Sequence, residues 1–496
     1  MDSKIRPLSR REMLKVMGAM AAGTALAACA QPTPPPAAPT QPPVEQPTQA
    51  PAEQPTVAPA APTVAPAAPT EVPAPTAAPA ATGANIGYMM GVGEMSDDQV
   101  KQFNTDYAPI VLERIDPDET RFFAMLAAGN PPDLYRIQAP SIPQLIARNI
   151  AKDLTPYFQA SPVIKPDDLA PGNYYYFAED AFHIGKGKIY GMVKDFSEDY
   201  SQYVNKTLLD ELKVPVPSAT EPMDYDQLAQ FAKAATVMEG DKIKVTGWFF
   251  EMGWIVRTWM LRLMAMGQSL YSEDFSKINL VNNPEAVAGV KWHFDLQKAK
   301  YANSPINPLQ NWAGPDFLAR LSASVQYGFW FSGFILNNRP PEHPDDDILH
   351  IPAPMYNKKR MSPTHAATGT VMTQASKAPD QAWTAFEWYN GKEPAIDRAK
   401  SGWGIPGLKS LYALIPETTP AQKQFKTVML DELQYANSVL QYNPYLLQSE
   451  PQPESAAFAK NLEPALLGDM TFEEMIQNME DEVNAAIKDG MDRMNA

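Results

Sequence analysis

Cys29 is the chain's single cysteine, and it follows Leu26-Ala27-Ala28. A thiol at a small-residue cut site suits one chemistry: cleavage before it frees an amino terminus, and thiol and amine can then carry acyl chains. The stretch resembles a bacterial lipobox, so Cys29 is the expected lipidation site. With no second cysteine, a disulfide within one chain is excluded. Metal chemistry finds less support. His183, His293, His343 and His350 show no zinc-type spacing, and the densest cluster, His343-Pro344-Asp345-Asp346-Asp347 with His350, reads as a proline-bearing acidic surface loop. Lys186-Gly187-Lys188 lacks the pattern of a phosphate cradle and reads as a turn before a strand. No Gly-x-Ser-x-Gly, Cys/His or metal motif is present, so neither a cofactor, a metal nor an enzyme is expected.

The elements around Cys29 agree with export. Ser9-Arg10-Arg11 places a twin arginine ahead of an uncharged run, Val16 to Ala28. That run is well short of the roughly 20 residues that span a bilayer as a helix, and it reads as the core of a signal. Residues 1–28 are therefore an export signal, and 29–83 are the lipidated cysteine plus a Pro/Ala/Thr-rich linker. From Ala30 to Gly83 there are 17 prolines, no aromatic residue, and a heptad at Val57–Thr63 repeated at Val64–Thr70. Such composition cannot bury a core and favours extended chain at about 3.1 Å per residue, a stalk lifting the rest of the protein off a membrane. The formal charge of −16 becomes −19 once the five basic and two acidic residues of the signal are removed. A surface so acidic excludes nucleic acid as a natural partner. The basic run Lys358-Lys359-Arg360 sits in an expected turn.

Residues 84–496 contain no Pro/Gly-rich divider, so any domains are interleaved. Strand-like and helix-like stretches alternate, with Ile110-Val111-Leu112 before a helix from Glu119 to Ala128, then Asp133–Ile137, then a short helix at Ile142–Ala147. The pattern predicts α/β. Caps predict further helices at Asn283-Pro284-Glu285, at Asp224 with Gln227, and at Thr471 with Glu474. The last carries Met475, Met479, Val483 and Ile487 as a core stripe. Trp292 and Trp383 fall in helices and read as core.

Eight short segments follow one another in an ordered series: Leu126–Asp133 (LAAGNPPD), Ala151–Tyr157 (AKDLTPY), Gly187–Gly191 (GKIYG), Tyr203–Lys206 (YVNK), Val214–Pro217 (VPVP), Val325–Trp330 (VQYGFW), Ser376–Pro379 (SKAP) and Gly404–Pro406 (GIP). Together they resemble the family 1 extracellular solute-binding proteins, the group of maltose-binding-protein-like receptors of ABC sugar transporters. Val204 stands where that family usually has tyrosine. The resemblance implies an α/β, two-lobed periplasmic-binding-protein type II fold with a hinge and an inter-lobe ligand cleft. Lobe one would be 84–195 and 363–412, lobe two 196–362 and 413–496.

A saccharide presents apolar C–H faces that stack on aromatic rings and hydroxyls that need donors and acceptors. Carried over by position, the resemblance implies a cleft of Glu94, Gln138, Ser141, Glu198, Asp199, Trp254, Trp330, His365, Thr368 and Trp403. The expected function is capture of a mono- or oligosaccharide by a monomeric lipoprotein outside the cytoplasmic membrane, with delivery to the membrane subunits of an ABC transporter. A polyamine, peptide, metal complex or polyol phosphate is the alternative cargo, and a sensor or adhesin the alternative role. A glycoside hydrolase would need two facing carboxyls about 5–9.5 Å apart. Glu198 and Asp199 are adjacent, and in extended chain they point to opposite faces.

Overall fold

Apolar runs and capped amphipathic stretches alternate along the chain, and the elements form where these signals fall. The computed structural model describes residues 83–308, 312–448 and 451–495. The expected export signal, Cys29 and all of the linker but Gly83 lie outside the described residues. In chain order the first elements are β1 (Ala84–Met89), α1 (Asp97–Asp106), β2 (Ile110–Ile115), α2 (Glu119–Ala127), β3 (Leu134–Ile137), α3 (Ile142–Ala147) and β4 (Gly191–Val193). There follow β5 (Gln202–Asn205), α4 (Tyr225–Ala235), α5 (Val256–Ala265), α6 (Pro284–Lys298), β6 (Ser324–Val325), α7 (Trp330–Asn337) and β7 (Ile348–Ile351). The chain ends with β8 (Gly369–Met372), α8 (Pro379–Gly391), α9 (Glu393–Ser401), α10 (Pro420–Glu432), α11 (Pro453–Leu467) and α12 (Phe472–Asn495).

The caps act as the sequence predicts. Asp224 closes a capping box with Gln227 at the start of α4, and the Asn283 side chain accepts from the N–H groups of Glu285 and Ala286 at α6. Thr471 and Glu474 exchange the same pair of bonds before α12. Each cap satisfies N–H groups that the first helical turn leaves orphaned. On α12, Met475, Met479, Val483 and Ile487 are all buried, as a stripe at helical spacing requires.

Two sheets organise the core. The first has the order β2-β1-β3-β8-β4. Its first three strands run parallel, Ala84 opposite Ile110 and Tyr88 opposite Leu134, and β8 lies antiparallel between β3 and β4. Helix α8 covers this sheet, with Tyr389 edge-on to Tyr88 and Trp383 stacked on Phe386. The second sheet, β6-β5-β7, is antiparallel, with His350 opposite Tyr203. Its edge strand β7 is covered by α10, where the Gln424 amide bonds both the N–H and the C=O of His350. That contact removes an open strand edge.

The chain leaves the first sheet after β4, enters the second at β5, and returns between β7 and β8. A two-residue pairing of Asp195–Phe196 with Ile405–Pro406 ties the outward segment to the turn beyond α9.

One expectation changes. The acidic stretch 343–347 is not wholly a surface loop: Asp346 is buried, accepts from Asn205 at 2.6 Å and pairs with Arg320 at 2.5 Å. His350 faces inward from β7, stacked on Tyr203, with Nε2 2.8 Å from Ser201 Oγ. Burial lowers its pKa to about 3, which leaves a neutral packing residue. The basic run is likewise spent locally, since Lys359 donates to the Ala265 carbonyl at 2.6 Å and Arg360 pairs with Asp431 and Glu432. Among the described residues no helix is long and apolar enough to cross a membrane.

Candidate ligand cleft

Segments from both sheets line one cavity of about 830 Å³. The first sheet contributes Glu94 from the loop after β1, Arg136 and Gln138 from the end of β3, and Thr368 from just before β8. Helix α9 and the turn after it add Arg398 and Trp403. From the second sheet's side come Trp254, on a short turn before α5, and Trp330, the first residue of α7. The crossing segment Lys194–Asp199 runs beneath both. A concave site of this size with a few converging polar groups is the usual form of a small-molecule site.

The polar side is a chain of alternating charges. Arg136 holds Glu94 at 3.1 Å, Lys194 reaches Glu94 at 3.1 Å and Asp195 at 2.5 Å, and Arg398 lies 3.9 Å from Asp195. Burial alone would raise the Glu94 carboxyl; Lys194 and Arg136 outweigh it and hold its pKa below the usual value. Lys194 shows the converse: burial would lower it, but Asp195 and Glu94 raise it. With Asp199 and Asp397, which also line the cavity, the three cations face four carboxylates, and the lining holds little net charge for a free anion or a polyamine.

The aromatic side is fixed from behind. The Arg257 guanidinium lies 5.0 Å from the Trp254 ring centroid, a cation–π contact beneath that ring. Tyr327 links the tryptophans, 6.1 Å from Trp254 and 4.8 Å from Trp330. The backbone N–H of Trp330 donates to Ser197 Oγ at 2.9 Å. Trp403 stands 6.2 Å from Trp330 and is 41% exposed; its neighbours Gly402 and Gly404 both have positive φ, which lets the turn lift the indole into the cavity.

Gly328 sets how closely the crossing segment meets this wall. A Cβ there would lie 2.5 Å from Ser197 Cβ and 3.0 Å from Asp199 Oδ1. Gly328→Ala is expected to cost about 2 kcal/mol by overpacking, read as a lower urea midpoint. An unchanged midpoint would show that the approach is not tight.

Of the ten residues expected from sequence, Glu94, Gln138, Asp199, Trp254, Trp330, Thr368 and Trp403 line the cavity. Three do not. Ser141 is buried at the start of α3, because the chain turns inward at Ala139–Ser141 right after Gln138. Glu198 is fully buried on the face of the crossing segment opposite Asp199, 3.4 Å from Ser201 Oγ and His350 Nε2, and burial raises its pKa well above the usual value. His365 is buried behind Trp254, its Nδ1 3.0 Å from the Tyr442 hydroxyl. Burial, with the Arg257 charge, holds it neutral.

Asp199 proves to be a clamp as well as a lining group. Its Oδ2 accepts from Thr364 Oγ1 at 3.1 Å and from the N–H groups of His365 at 2.6 Å and Ala366 at 3.1 Å, tying the outward crossing to the return. Lys194, Asp195 and Arg398 escape sequence reasoning. The charged pair Lys194-Asp195 directly after the apolar Gly191-Met192-Val193 could have pointed to a strand end facing a site, but nothing local marks Arg398. Among the described residues no cluster of three or more His, Cys, Asp or Glu side chains could hold a metal.

Residues 98–427 match the family model for bacterial extracellular solute-binding proteins. No curated protein matches the sequence. Among solved structures, the chain is similar to an ABC substrate-binding protein from Listeria monocytogenes in complex with cycloalternan, at 21% identity and TM-score 0.66, over 82% of this chain and 99% of that one. It is similar to the sugar-binding protein MalE of Xanthomonas citri at 15% identity and TM-score 0.63, over 82% and 98%. Maltose-bound MalE3 of T. maritima is 18% identical with TM-score 0.60, over 82% and 100%. These likenesses establish the two-lobed periplasmic-binding-protein type of α/β fold.

Proposed function

The chain belongs to the bacterial extracellular solute-binding proteins, and from that premise we propose that it captures a carbohydrate in the cleft and delivers it to the membrane subunits of an ABC transporter. The observation that carries the cargo is the pairing of Trp254, Trp330 and Trp403 with a charge-balanced polar wall around one cavity. Tryptophan faces receive the C–H side of a sugar ring, while Gln138, Thr368 and the Glu94–Arg136 pair offer the donors and acceptors its hydroxyls need. The Listeria and T. maritima proteins named above hold cycloalternan and maltose, and that agrees with the reading.

The protein acts as a receptor and not as a catalyst. Glu198 and Asp199 turn to opposite sides of one segment, so they make no facing acid and base across a bound sugar. Residues 84–195 with 363–412, and 196–362 with 413–496, form the two lobes that close on the ligand. The twin arginine and the lipobox-like stretch export the chain and anchor it through Cys29 to the outer face of the membrane, as a monomer on its linker.

A thermal-shift screen of the mature protein against saccharides, amino acids, polyamines and phosphorylated polyols tests the cargo. Ligand at 100 times its dissociation constant adds about 2.7 kcal/mol, a shift of a few degrees. The expected result is a shift with one saccharide class that Trp330→Ala reduces by about tenfold in affinity, as loss of one stacked aromatic face implies. A shift only with polyamines or phosphorylated polyols would replace the sugar, and no shift at all would favour a sensor or adhesin.

A further inference from the structure

The aromatic wall does not stop at the cavity's edge. Trp312 lies one ring beyond Trp330, with centroids 6.4 Å apart and planes inclined by only 25°. It does not line the cavity, yet it is 44% exposed beside Trp330, which does. Its underside is packed: Phe334 meets it edge-on at 4.7 Å, and Gly314 sits so close that a Cβ there would lie 2.3 Å from the indole. An aromatic ring held rigidly from below and open above offers contact area at little cost in conformational entropy. Clustered exposed apolar surface at the rim of a site marks binding.

Trp254 and Trp330 are half-buried within the cavity, and Trp312 is open. The 6.4 Å between the Trp330 and Trp312 centroids lets neighbouring units of one saccharide chain meet both rings. We infer that Trp312 is a further stacking platform, so that the cleft selects linear oligosaccharides of three or more units over mono- and disaccharides. This rests on the carbohydrate reading above and adds chain length to it. Trp312 acts as a specificity residue for the outer unit and leaves the inner two untouched.

Calorimetric titration of the mature protein with two-, three- and four-unit members of the malto-, manno-, cello- and xylo-oligosaccharide series separates the possibilities. In the series that binds, three units are expected to bind about tenfold tighter than two, the increment of one added aromatic contact. Trp312→Ala removes that advantage while the two-unit affinity stays within about twofold. Trp312→Phe, which keeps a ring, restores most of it and guards against a folding defect, with the melting temperature of both variants as the check. Equal wild-type affinity for two and three units overturns the inference and leaves carbohydrate capture standing. So does a Trp312→Ala variant that weakens both lengths alike or neither. Binding by no member of any series overturns the inference, while the carbohydrate reading stands or falls on the thermal-shift screen.

Discussion

Asp199→Ala lowers the free energy of unfolding by about 4 kcal/mol, since several charge-assisted bonds of about 1.5–3 kcal/mol each converge on one carboxylate and do not add fully. The substitution strands the backbone N–H groups of His365 and Ala366, both of which donate to Asp199 Oδ2. It also removes the carboxylate beside Arg257, whose buried Nη1 has no hydrogen-bond partner and whose charge opposes the rise that burial imposes on Asp199. The loss reaches the cleft, because Arg257 backs Trp254 and the 364–366 segment leads into Thr368. Asp199→Asn keeps an acceptor but adds an N–H pair facing donors, and it should fall between wild type and alanine. Urea titration of the three proteins is the measurement. A deficit below about 1 kcal/mol for alanine, no more than a typical single neutral hydrogen bond, would show that the two crossings are held by something else.

Lys194→Met produces the second large effect and changes the shape of the stability–pH curve. Lys194 is only 7% exposed and bridges Glu94 and Asp195. Removing one partner of a buried ion pair costs about 3–5 kcal/mol, and a value near the lower end, about 3 kcal/mol, is expected because Arg136 and Arg398 remain beside the two carboxylates. The folded pKa of Glu94 is lowered, so its contribution is complete above the unfolded value of about 4.3 and is lost as pH falls through the folded value. The folded pKa of Lys194 is raised, so its contribution is complete below about 10.4 and is lost as pH rises through the folded value. Wild type should therefore weaken at both extremes. In Lys194→Met the alkaline loss from this site disappears and the acid loss becomes shallower. Denaturant midpoints between pH 3 and pH 11 decide the matter, and parallel curves for the two proteins would rule the bridge out as a source of stability.

Both substitutions lie in the crossing segment, and that segment also divides what could be read from the chain. The extended stretch Asp195–Phe196 is a local property. Glu198 and Asp199, however, fall in a turn that the Ser201 N–H closes on the Glu198 carbonyl at 3.3 Å, so their opposite facing comes from that turn and not from the strand alternation expected of the sequence. Which of the two faces the ligand is not local. It depends on Gly328 admitting Ser197 from one side and on the 364–366 segment reaching Asp199 from the other. The same division separates Trp330 from Trp312. A tryptophan after a glycine turn is visible in sequence, but the value of Trp312 lies in a ring 18 positions away that folding places beside it.

By itself the sequence determined the places of strands and helices, because caps, apolar period and turn chemistry act among residues within about four positions of one another. It also determined the order of segments, and with that order the family. Seven of the ten residues expected from the resemblance line the cavity, from strand ends, loops and the first turn of a helix. The tertiary structure alone decided the charge chain. Glu94 and Arg136 are 42 residues apart, and Asp195 and Arg398 are 203 apart. Side chains so distant meet only because β8 returns between β3 and β4 and the turn after α9 pairs with Asp195–Phe196. Hydrogen-bonded ion pairs and stacked rings need contact in space, so the chemistry of the cleft is set by that topology and not by spacing along the chain.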